Sequence, residues 1–258
     1  MSISRDTGVD WKSSTFEGGE KVPVFEILCL ANSVKYQGRC IAGVCLDDGK
    51  WIRPVSDNAE ARGALFGSQY RYDDGREVLP LEVAKREFLK PCPKDHQSEN
   101  WLIGSEPWTR GTPLDEEELL DFLEDCLSWN PLLFGNASDC LTLAEFRRRP
   151  PRSSLLLVEP EELRLRLVRR REGFQTRARF LLGDERYDLV VTDPIYREHM
   201  ERFPPEEEYP FTQVVSLAPG ARVFLTISLG EEFRGAFYKL VAAIIVFPPQ
   251  AVRWRGIC

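Results

Sequence analysis

The stretch RCIAGVCLDDGKWIRPV, residues 39–55, decides how this chain is read. Two apolar, strand-forming runs flank Asp47-Asp48-Gly49-Lys50. Gly49 supplies the positive φ that a tight reversal needs, so the stretch predicts a β-hairpin. Upstream, VFEILCLAN adds another run of β-type residues. Downstream, YRYDDGREVLPLEV repeats the turn signal at Asp73-Asp74-Gly75. The first eighty or so ordered residues thus read as a β meander, broken by one short helix or loop near NAEARGALF.

Farther along, DEEELLDFLEDCL, residues 115–127, is an amphipathic helix with Leu119, Leu120, Leu123 and Leu127 at helical spacing. Its acidic start suits the helix dipole, and Pro113 stands just before it. The polar stretch RRRPPRSS, residues 147–154, marks a boundary. Beyond it SLLLVEP, LRLRLV, FQTRARFLL and RYDLVVTDP are strand candidates, with Glu172-Gly173 and Gly183-Asp184 as turns. Asp193 precedes Pro194 as the N-cap of a short helix, and ARVFLTISLG and FYKLVAAIIVF close the chain. Dense turn signals between short strands predict a mainly β protein built of small barrels.

Composition narrows the function classes. The longest strongly apolar stretch, LVAAIIVF, is far too short to span a bilayer as a helix. The N-terminal residues lack an apolar run after their charges, unlike a signal peptide, so a cytoplasmic protein is expected. Seven cysteines, an odd number placed partly in apolar strands, argue against a disulfide framework. With no CxxC and only two histidines, Cys92 and His96 do not assemble a metal site. Neither a P-loop nor a strand-borne GxGxxG is present, and no cofactor is expected.

Four segments carry a family resemblance: ILCLANSVKYQGRCIAGVCLDDGKWIRPVS, HQSENWLI, DLVVTDP and LTISLGEEFRGAFYKLVAAII. Through their order and spacing, from about Phe25 to Phe247, the chain resembles the bacterial dual OB domain-containing family. The resemblance implies two OB-like five-stranded barrels with helical insertions. It implies no catalytic residues, and OB barrels bind oligonucleotides, oligosaccharides or protein partners. The expected layout is a flexible leader at 1–22, a first OB-like domain with its helical insertion at 23–150, and a second at 151–258.

Charge is segregated. The formal net charge is -7, yet LRLRLVRRREGFQTRARF, residues 163–180, holds seven arginines. In a strand, Arg164 and Arg166 point away from the leucines between them, and Arg177 and Arg179 share a parity on the returning strand. Pairing across Glu172-Gly173 places all four on one outer face, with Arg169, Arg170 and Arg171 at the tip. Such a field suits a polyanion, because the guanidinium fork matches phosphate. The competing reading is a solvated hairpin face neutralised by Glu161, Glu162 and Glu185. Stacking aromatics are sparse there.

Two smaller constellations allow other chemistry. In DHQSENWLI, His96 and Glu99 have the makings of a general acid–base pair, or of a structured turn anchored by Trp101. Arg53, held between Ile52 and Pro54, is either paired with a buried carboxylate or aimed at an anionic ligand, with Trp51 beside it. SLGEEFRGAFYKL reads as a hairpin turn, its acidic residues excluding a phosphate loop.

The favoured expectation is a non-enzymatic binding module, taking single-stranded nucleic acid through the basic hairpin. The alternatives are an anionic small-molecule sensor or enzyme with Arg53, His96 and Glu99 in a cleft between barrels, and a protein-interaction adaptor.

Overall fold

The computed structural model describes residues 22–94 and 96–254, so the expected leader lies, Val22 apart, outside the described residues. The first sheet is built from β1 (Val24–Lys35), β2 (Gly38–Cys45), β3 (Trp51–Ser56), β4 (Val83–Glu87), β5 (Lys90–Pro91), β6 (Asn100–Ile103) and β7 (Thr109–Arg110). β1, β2 and β3 form the antiparallel meander read from the sequence, and Gly49 holds φ +68° in its turn. β3 pairs β6 in parallel, β4 pairs β1, and β5 pairs β6. Since β5 follows β4 after two residues, the two act as one bent strand, and five strands close into a ring.

β1 is buried almost continuously because both of its faces are covered. Ile27 and Cys29 point into the first barrel with Ile41, Cys45, Phe88 and Trp108. Leu28 and Leu30 point the other way, into an apolar layer shared with the second barrel. Gly43 permits this crowding. A Cβ there would lie 2.4 Å from the Leu28 carbonyl oxygen.

Then come α1 (Glu116–Asp125), β8 (Cys140–Thr142) and α2 (Leu143–Arg148). Asp115 caps α1 by accepting the Glu118 N–H, and Leu119 and Leu123 face the layer between the barrels. β8 pairs β16 (Ala236–Phe247) of the second sheet.

The rest of the chain comprises β9 (Leu155–Val158), β10 (Glu161–Arg170), β11 (Gly173–Leu182), β12 (Glu185–Val191), α3 (Pro194–Met200), β13 (Glu208–Pro210), α4 (Phe211–Val214), β14 (Val215–Leu217), β15 (Arg222–Phe233), β16 (Ala236–Phe247) and β17 (Val252–Trp254); β14 and β17 pair as a two-stranded sheet, and the other strands make the second sheet. β10, β11 and β12 form a meander, and β12 pairs β16 in parallel. The path continues from β16 to β17, crosses to β14, and returns through β13 to β10. Again five strands, two of them interrupted, close a ring. β15 and β9 extend it towards the first barrel, where the Thr226 hydroxyl donates to the Leu30 carbonyl.

Two local expectations shift. The tip of the basic hairpin reverses at Arg171-Glu172 rather than Glu172-Gly173, since Arg170 pairs Gly173. The SLGEEF segment continues β15 as strand, and the reversal falls at Arg234-Gly235, both with positive φ. Glu231 is drawn into the strand by Lys35 at 3.3 Å and by the Tyr36 hydroxyl at 2.7 Å.

Candidate functional site

On the second barrel, Arg164 stands opposite Arg179 and Arg166 opposite Arg177 in the β10–β11 ladder. Like charges directly opposed on one face repel. Two carboxylates from the flanking strands relieve them. Glu208 on β13 lies 3.4 Å from Arg164 Nε and 3.0 Å from Arg179 Nη1. Asp188 on β12 pairs Arg166 and lies 2.7 Å from Arg177 Nε.

The alternation of LRLRL placed the arginines on one face, as local parity dictates. It did not reveal their partners. Glu161, Glu162 and Glu185 form no ion pair with them among the described residues, whereas Asp188 and Glu208 do. Asp188 was findable, because in β12 it sits opposite Arg179 once hairpin register is fixed. Glu208 comes from beyond α3, where no local periodicity reaches. Four guanidinium groups therefore share two carboxylates, which leaves a surplus of two positive charges on the face. The face is thus partly neutralised, by Asp188 and Glu208 rather than by Glu161, Glu162 and Glu185.

Arg169, Arg170 and Arg171 at the tip are exposed, and none of their guanidinium groups forms an ion pair among the described residues; Glu206 accepts the Arg169 backbone N–H at 2.6 Å. Arg169 lies over the Phe174 ring at 5.2 Å. Beneath the hairpin, Lys239 is buried with its ammonium donating to the Asn136 and Ser138 carbonyls. Burial pushes its pKa down to about 8.

The junction between the barrels holds the other candidates. Arg53 and Glu99 are both buried and form an ion pair, so the structure gives Arg53 the carboxylate partner that was one of its two readings. Arg53 Nη2 also donates to the Ser228 hydroxyl at 3.2 Å. Glu99 accepts from the Ser154 hydroxyl and, at 3.3 Å, from the Ser154 N–H. As an anionic-ligand residue Arg53 is corrected: its charge is spent on Glu99. His96 is buried and packs against the Phe237 ring at 4.3 Å, with Phe146 farther off at 6.4 Å. Glu99 borders an open groove with Trp51 and Arg152, and Arg53 a separate cleft with Ser228 and Glu231. His96 lines neither, so the three do not converge on one cavity.

A family model agrees with this architecture. The chain matches the family model described as "Dual OB-containing domain" over residues 25–244. No curated protein matches its sequence. Among solved structures, it is similar to a murine DNA binding protein bound with double-stranded DNA, at 7% identity and TM-score 0.31, covering 88% of this chain and 98% of that one. It is also similar to the p204 HINb domain, at 6% identity and TM-score 0.33, covering 87% and 96%. Likenesses this distant carry no functional argument.

Proposed function

We propose that this chain, which belongs to the dual OB-containing domain family, is a non-enzymatic module that binds nucleic acid through the basic face of its second barrel. The observation that carries this reading is the arginine ladder. Four guanidinium groups share Asp188 and Glu208, and the surplus runs on into Arg169, Arg170 and Arg171 at the exposed tip. Phosphates would meet a field that persists despite the acidic total. The ladder ion pairs fix the guanidinium forks in place, so less side-chain freedom is lost on contact.

The test is titration of labelled single-stranded RNA, single-stranded DNA and duplex DNA at several salt concentrations. Binding should weaken steeply as salt rises, because each phosphate contact releases counterions. Arg169→Ala, Arg170→Ala and Arg171→Ala together should flatten that slope by roughly 2 for single strands, at about 0.7 per contact. Binding indifferent to salt, or a triple variant with the parental slope, would overturn the reading.

A further inference from the structure

The junction between the barrels carries a second polar-aromatic surface, of different character from the hairpin. Two open grooves, of about 630 and 780 Å³, meet at Trp51, Arg152 and Ser153. Trp51 opens β3 immediately after the Gly49-Lys50 turn and lies half-buried against the inter-barrel layer. Phe25 and Trp101 line one groove, and Phe134 and Arg149 the other.

The basic groups here differ electrostatically from the ladder. Arg149 and Arg152 are exposed, and neither has a carboxylate within 4 Å among the described residues. Glu99 borders one groove, but Arg53 balances its charge from inside the seam. The backbone bearing Arg152 is fixed rather than loose. The Ser98 hydroxyl donates to the Arg152 carbonyl at 2.7 Å, and the Ser154 N–H donates to Glu99 at 3.3 Å. Pro150 and Pro151 stiffen the approach. Trp129, 79% exposed, stands between the groove residues Ser128 and Asn130.

We infer that this junction groove is a binding track for single-stranded nucleic acid, with bases stacked on Trp51 and phosphates met by Arg149 and Arg152. The inference rests on the nucleic-acid reading above and adds a second contact surface for single strands, beside the hairpin's. Flat aromatic faces beside unpaired guanidinium groups are what unstacked bases and their phosphates require together. On the hairpin the exposed aromatic, Phe174, is already covered by Arg169. Two open troughs joined at one tryptophan suit a continuous strand better than a single small molecule.

The experiment uses the full chain with fluorescein-labelled oligothymidylate, oligouridylate and a duplex. Arg149→Ala with Arg152→Ala should weaken single-strand affinity at least tenfold and flatten its salt slope by about 1.4. Trp51→Ala should weaken it further, and Trp51→Phe, which preserves apolar packing, should remove part of the tryptophan quenching while leaving the circular dichroism unchanged. Parental affinity and slope in the double arginine variant would overturn the track, as would binding confined to duplex. If the double variant binds normally while the hairpin-tip triple variant does not, the track fails and the proposed function stands. If the unaltered chain binds none of the probes at low salt, both fail.

Discussion

Arg53 Nη2 stands 3.2 Å from Glu99 Oε1, on side chains 2% and 3% exposed, one from each of the parallel strand pair's approaches to the seam. The Ser154 hydroxyl and N–H complete the carboxylate's shell from the far side of the chain boundary. The charge pair thereby ties residues read as separate domains into one junction.

Breaking it leaves a buried charge alone, which costs several kcal/mol. Glu99→Gln should therefore destabilise the chain by about 3 kcal/mol. Urea unfolding measures this, and a loss below about 1 kcal/mol would mean that Arg53 finds solvent or another partner.

Asp193 titrates against the fold. Its carboxylate accepts N–H groups from Ile195 and Ile244, but burial outweighs them and raises its pKa from 3.8 to about 6. The folded state thus binds the proton more tightly than the unfolded state. Its contribution favours folding at low pH and is lost as pH rises from about 4 through 6. Two pKa units correspond to about 3 kcal/mol. Asp193→Asn should remove this component from stability measured between pH 4 and 7, and a pH profile identical to the parent's would refute it.

The ladder carboxylates restrain the proposed phosphate surface. Asp188→Asn with Glu208→Gln should release four guanidinium groups, tighten nucleic-acid binding and steepen the salt slope by roughly 1 to 2. Stability should fall only modestly, by about 1 kcal/mol, since these pairs are partly solvated. Unchanged or weaker binding in a folded double variant would place the ligand elsewhere.

Gly43→Ala should destabilise the first barrel by roughly 1–3 kcal/mol, because the new methyl meets the Leu28 carbonyl at 2.4 Å and β1 has no room to retreat. Thermal unfolding would show it, and a neutral substitution would mean that β1 and β2 separate easily.

Local periodicity made part of this protein legible. The Asp-Asp-Gly-Lys turn, the helix capped by Asp115, the Asp193 cap and the outward parity of Arg164, Arg166, Arg177 and Arg179 all follow from neighbours a few residues apart. Alternation fixes which face a side chain takes, and turn chemistry fixes where the chain reverses.

Which charges neutralise one another was decided only by tertiary structure. Glu208 reaches Arg164 and Arg179 from a later strand, Glu99 meets Arg53 across a parallel pairing, and Trp51 finds Arg152 at a seam between barrels. Coulombic and stacking partners depend on distance in space. Sequence pattern reports that distance only within a turn of helix or the length of one hairpin.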